Sequence, residues 1–238
     1  MHIPSCPSQE IDLISFEEAL ARSGKGDDYD HDRWIYVPDF YTEYRYILGT
    51  RGDNPLICIG INPSTAEPDN LDNTLKSVSR IAAGNGFDSF IMFNVYAQRA
   101  TSPDDMDRCC NEELHRENMK AFDYLLSRIP EGTRPAVWAA WGAIIEKRDY
   151  LPCCVEDMVS IGARYRARWL CAGKISVKGH PHHPLYLRKD EKTVPFDIRH
   201  YLNVLEERKK CATASFAWRC ARSVPAGKSR ILLSARKR

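Results

Sequence analysis

Two asparagines and a histidine-rich loop hold the positions in this chain best suited to chemistry. Asn62 lies in Ile61-Asn62-Pro63-Ser64-Thr65, directly after the apolar run Leu56-Ile57-Cys58-Ile59 and Gly60. Between Gly and Pro its backbone is held by neither helix nor sheet, which leaves the amide for a substrate or a water. The alternative is a strand-to-helix turn that the amide merely caps. Asn94 ends a second apolar run, Phe90-Ile91-Met92-Phe93. Its amide supplies both a donor and an acceptor, or it simply terminates a strand. His180, His182 and His183 crowd into Gly179–Leu187, which reads GHPHHPLYL. Three histidines so close suggest a metal, but Pro181 and the lack of other clustered ligands argue for none. Arg99, in the loop after the second run, either contacts phosphate or makes an ordinary surface pair.

These residues need a scaffold that brings loop ends together. Short apolar runs without alternation read as strands buried on both faces: Leu56–Ile59, Phe90–Phe93, Ala136–Ala140 and Arg168–Cys171. Helical patterns lie between them. Asp72-Asn73-Thr74 caps one helix that runs to about Ala83, a second spans about Glu112 to Arg128, and a third starts at Ala143. The last helix covers about Phe196 to Lys209. Strands alternating with helices imply a three-layer α/β/α fold around a mostly parallel, four-stranded sheet. Trp34–Val37 and Tyr44–Leu48 form a short antiparallel hairpin that precedes it. The expected organisation is an N-terminal extension at 1–32, an α/β domain at 33–209 and a basic, unstructured tail at 210–238.

Bulk properties narrow the class. The chain has 238 residues and 43% hydrophobic content, enough for a core without disulfides. Nine cysteines with no C-x-x-C pair make neither a disulfide framework nor a zinc or iron–sulfur site. They fit reduced thiols in a cytoplasmic protein. No apolar run suits a signal peptide or a membrane span. The net charge of +2 conceals ten Lys/Arg and no acid at 208–238, which leaves residues 1–207 at −8. The basic end either adds salt-sensitive affinity for nucleic acid or is simply solvated.

Four segments recur in a fixed order: GINPS at Gly60–Ser64, FIMFN at Phe90–Asn94, VWAAWG at Val137–Gly142 and GHPHHPLYL at Gly179–Leu187. This order resembles the uracil-DNA glycosylase superfamily. The NPSTA loop, Asp72-Asn73-Thr74, Ala97–Thr101 and the GHPxHPLYL ending resemble more closely an uncharacterised bacterial and phage family, over roughly residues 33–190. The superfamily resemblance implies a pyrimidine nucleotide-binding domain that hydrolyses the glycosidic bond of uracil or a modified base. Its alternatives are a binding module without chemistry and a hydrolase of small nucleosides or nucleotides.

By that resemblance Asn62 positions water, with Gly60, Ile61, Pro63 and Ser64 shaping its loop. Asn94 reads the base edge, and His180, His182 or His183 stabilises charge on the departing base. Leu185 or Tyr186 enters the stack as an apolar wedge, unless both pack inward. Trp138 and Trp141 read as packing residues. No cofactor, metal or obligate protein partner is implied; the expected partner is nucleic acid or a nucleotide. Two departures matter. The His loop is one residue longer than the superfamily's HPSPL, so the functional histidine is ambiguous. Ser64 stands where an aromatic would exclude bases with a 5-substituent.

Overall fold

Four apolar runs become four parallel strands at the centre of one sheet in the computed structural model, which describes residues 1–25 and 28–222, with side chains through 210. The strands are β1 (Trp34–Val37), β2 (Ile47–Thr50), β3 (Pro55–Gly60), β4 (Ser89–Asn94), β5 (Ala136–Ala139), β6 (Arg168–Ala172) and β7 (Thr193–Pro195). Their order is β1-β2-β4-β3-β5-β6-β7, so the sheet has seven strands rather than four. Strands β4, β3, β5 and β6 run parallel. The early hairpin does not stand before this sheet but extends it. β2 pairs antiparallel with β4 through Leu48↔Met92 and Gly49↔Ile91. Gly49 is required at that seam, because a Cβ there would lie 2.3 Å from the Phe90 carbonyl oxygen. At the other edge β7 pairs antiparallel with β6.

The helices are α1 (Phe16–Arg22), α2 (Asn73–Gly84), α3 (Glu112–Ser127), α4 (Leu151–Arg164) and α5 (Ile198–Arg222). Asp72 caps α2 by accepting the Leu75 N–H at 2.9 Å. Leu75, Val78, Ile81 and Ala82 of α2 are buried with Leu56, Cys58, Phe90, Met92 and Trp138 of the sheet. Each of the larger aliphatic side chains contributes ~1.5–3 kcal/mol by leaving water. Phe93, next along β4 from Met92, meets Phe122 of α3 with ring centroids 5.3 Å apart. Alternation along β4 thus serves two packing partners, as expected for a strand with no alternating polar pattern.

The helix expected from Ala143 begins later. Gly142 takes φ +62° and a 3₁₀ turn covers Gly142–Glu146, so α4 starts only at Leu151, with Pro152 in its first turn.

The chain divides into two compact units, Met1–Tyr201 and Leu202–Arg238. Residues 1–32 lie within the first: Ser8, Phe16 and Ala19 are buried, and the Phe16 N–H donates to Glu117 Oε2 of α3 at 2.8 Å. In the second unit α5 continues past the expected end at Lys209 to Arg222. The expectation for 223–238 lies outside the described residues.

Candidate functional site

The carboxyl ends of β3 and β4 finish on the same rung, Gly60 beside Asn94. From β3 the chain passes to β4 on one side and later to β5 on the other. That reversal opens a crevice beyond the strand ends, where open α/β sheets bind ligands. A cleft of about 720 Å³ lies there. Gly60, Ile61, Asn62, Ser64, Asn94, His180, His182, His183, Leu185 and Tyr186 all line it. Pro63 and Arg99, also expected at the site, are not among the lining residues.

Gly60 allows the close approach of its neighbours, since a Cβ would stand 2.5 Å from the Met92 methyl and 3.2 Å from the Asn94 amide. Asn94 is 1% exposed. Its NH₂ donates to the Asn62 carbonyl at 3.2 Å and to the Phe93 carbonyl at 3.3 Å, the orientation in which no two acceptors face each other. Asn62 donates through Nδ2 to the carbonyls of Ala100 at 2.7 Å and Pro63 at 3.1 Å. Each amide therefore braces the loop with its nitrogen and keeps Oδ1 as the acceptor. The capping and functional readings of Asn62 coexist in one side chain.

Pro63 supports the loop through its carbonyl, which also accepts the Ala100 N–H at 2.9 Å. Ser64 Oγ lies 3.2 Å from Thr101 Oγ1, a second hydroxyl on the cleft wall. Arg99 is fully buried instead of presented to a ligand. It donates to the Ser64 carbonyl and, at 2.8 Å, to the Tyr36 hydroxyl, and stacks 4.4 Å from the Tyr41 ring centroid. Its place is beneath the Asn62 loop, as a support.

The histidines separate by role. His180 is buried, with Nδ1 3.0 Å from the Tyr201 hydroxyl and Nε2 3.5 Å from Glu146 Oε1. The same hydroxyl accepts from Trp141 Nε1 at 3.0 Å. Trp138 and Trp141 are both fully buried, so the tryptophans pack. His180 anchors its loop. His183 Nδ1 accepts the Leu185 N–H at 3.4 Å, so the neutral ring carries its proton on Nε2. Burial lowers the His183 pKa below the ordinary imidazole value, against a smaller opposing pull from Asp72. Gly142, across from it, has no side chain to crowd the ring; a Cβ there would be 3.8 Å from that of His183. Ser77 of α2 ties this loop down by donating to the Pro184 carbonyl at 2.8 Å. Leu185 and Tyr186 are 46% and 77% exposed, so neither belongs to the core.

Sequence reasoning missed three polar contributors. Arg45 lines the cleft although it is 1% exposed. Asp72, read as a cap, is also the one carboxylate on the lining among the described residues, and Thr101 faces the cleft beside Ser64. The cap motif was visible for Asp72, but only the sheet topology turns that helix end toward the crevice. Among the described residues no group of three His, Cys, Asp or Glu side chains could hold a metal ion. Nor is any helix there long and apolar enough to cross a membrane.

A family model described as a protein of unknown function (DUF1643) matches residues 45–185, from Arg45 through Leu185. No curated protein and no solved structure matches.

Proposed function

Because the chain belongs to the DUF1643 family, described as of unknown function, its own cleft must guide the reading, and we propose that it binds a pyrimidine nucleotide there and hydrolyses the glycosidic bond in the manner of a uracil-DNA glycosylase. The observation that supports this is the meeting of the Asn62 loop, Asn94 and His183 on one cleft. Such hydrolysis separates a base anion from a cationic sugar, so the enzyme must orient water, hold the base edge and stabilise the leaving charge.

Each requirement has a candidate. Asn62 Oδ1, with its nitrogen committed to carbonyls, accepts a hydrogen bond from the attacking water. A neutral amide orients water but does not deprotonate it, which suits modest turnover. Asn94 Oδ1 accepts an N–H from the base edge. His183, kept neutral by burial and with Nδ1 engaged, donates from Nε2 to the departing base. Leu185 and Tyr186 stand exposed at the rim, where an apolar wedge would enter a base stack.

The test is release of free base, followed by chromatography, from oligonucleotides and mononucleotides carrying uracil or 5-substituted pyrimidines. Base release by the native chain, lost in Asn62→Ala and His183→Ala, is the expected outcome. If none of these substrates loses its base, the hydrolase reading fails. The commitment of both amide nitrogens to loop carbonyls favours one rival, a recognition module. Tight binding without turnover, abolished by Asn94→Ala but not by Asn62→Ala, identifies that case.

A further inference from the structure

We propose that the buried end of the cleft is a binding site for a phosphate monoester, held by Arg45 and by the first-turn N–H groups of α2. The site does not depend on the glycosidic chemistry above; it rests on the nucleotide reading only for what the phosphate is attached to.

Arg45 sits between Tyr44 and Tyr46, with its backbone N–H on the Ala97 carbonyl at 3.0 Å. Nη1 donates to the Ala66 carbonyl at 2.9 Å, while Nε, fully buried, has no partner. The side chain nevertheless lines the cleft. Arg99 lies close enough for its charge to act on Arg45, and neither guanidinium makes an ion pair among the described residues. Burial, and then that neighbouring charge, push the Arg45 pKa down to about 9. Asp72 is the carboxylate whose charge reaches Arg45, but it forms no ion pair with it. Two neighbouring buried cations so weakly compensated are costly, and an anion entering the cleft would remove part of that cost.

The second wall is independent of the first. α2 has 12 residues, and Asp72, Asn73, Thr74 and Leu75 at its start all line the cleft. The Leu75 N–H is taken by Asp72 Oδ1 and the Lys76 N–H by the Asp72 carbonyl. The N–H groups of Asn73 and Thr74 make no hydrogen bond among the described residues. Free N–H groups at the positive end of a helix dipole, beside a guanidinium with an unused donor, match the several acceptor oxygens of a phosphate. Asp72 opposes an anion, and the Arg45 guanidinium and the free N–H groups of α2 are what must outweigh it.

A monoester fits better than an internal phosphodiester. Arg45 is 1% exposed, so a terminal group reaches it while a continuing polymer backbone does not. The −8 charge of residues 1–207 likewise disfavours a long polyanion. The volume of about 720 Å³ is ample for one nucleotide.

The test compares affinities of the full chain for uridine, uridine 5′-monophosphate, ribose, ribose 5-phosphate and inorganic phosphate by calorimetry. A uracil trinucleotide with and without a 5′-phosphate completes the set. Each monoester is expected to bind at least ~10-fold more tightly than its unphosphorylated partner, a factor worth about 1.4 kcal/mol. Arg45→Gln should erase that gap. Asn73→Pro should reduce it without unfolding the chain, because proline is favoured at the first helical position and removes only the N–H there. Far-ultraviolet circular dichroism checks both folds. Binding of ribose 5-phosphate that Asn73→Pro weakens supports the site even where uridine fails to bind, in which case the base reading alone falls. Equal affinity for each phosphorylated and unphosphorylated pair overturns the site, whatever uridine does. So does an undiminished gap in a folded Arg45→Gln or Asn73→Pro variant. If the unphosphorylated trinucleotide matches the monophosphate, internal diesters suffice and the monoester assignment is wrong.

Discussion

Replacing Asn94 by aspartate changes one NH₂ into an oxygen and little else in shape. The amide is 1% exposed and donates to the carbonyls of Asn62 and Phe93 at 3.2 and 3.3 Å. An ionised carboxylate there would place its charge against two acceptors at a position almost wholly buried. The folded protein would therefore hold the new carboxyl protonated, as an O–H donor to one of those carbonyls. Its folded pKa then lies above the unfolded value of ~3.9, by ~2–3 units on the scale of buried carboxyls. The sign follows. Below the unfolded pKa both states are protonated and the substitution costs little. Between the two pKa values the unfolded chain ionises and the folded one does not, so stability falls with rising pH. The loss relative to the native chain should reach about 3–4 kcal/mol near neutrality.

Asn94→Ala, which merely deletes two long hydrogen bonds, should cost ~1–3 kcal/mol independently of pH. Urea denaturation of the three proteins at pH 4, 5.5 and 7 provides the comparison. If Asn94→Asp tracks the native chain with a constant offset across that range, the amide does not face the two carbonyls with its nitrogen. Asn62 is then held by something else.

His183→Gln should make stability less sensitive to acid, since burial lowers the native His183 pKa. Native stability is complete above the ordinary imidazole value and declines as pH falls below it, and urea midpoints between pH 7.5 and 5 should show the shallower slope in the variant. Ser77→Ala removes the bond to the Pro184 carbonyl and should cost ~1 kcal/mol in thermal unfolding, with weaker ligand binding as the His183 loop loosens. Gly49→Ala forces a Cβ to 2.3 Å from a backbone oxygen at the β2–β4 seam, and a loss of at least ~1–3 kcal/mol is expected in chemical denaturation.

The parallel strands were legible in the sequence because burial on both faces leaves apolar runs that stop at Gly60, Asn94 and Trp141-Gly142. The width of the sheet was not. β7 is three residues long and ends in Pro195, too short to carry a pattern. The β2–β4 pairing joins segments whose local sequences say nothing about each other. The start of α4 was misplaced because Gly142 leads into a 3₁₀ turn before the helix.

At the site, Asn62, Asn94 and the histidine loop stood out through turn chemistry and odd composition. Arg45 did not, because an arginine between two tyrosines reads as the solvent side of a strand. Only the packing of 44–46 against Ala97 and Gln98 shows it to be internal. Arg99 misled for the same reason: charge suggests a surface, and nothing local reveals the tyrosines that enclose it.

One wall of the cleft is joined by the first residues of the chain. His2 donates its N–H to Thr101 Oγ1 at 2.6 Å and accepts the Thr101 N–H at 2.9 Å, linking positions ninety-nine residues apart. Ser77 and Pro184 close the opposite side across 107 residues. Contacts this distant close long loops and carry a correspondingly large loop-closure entropy. The walls of the cleft thus join parts of the first unit that lie far apart in sequence, and a ligand that requires the cleft reports on whether that unit has assembled.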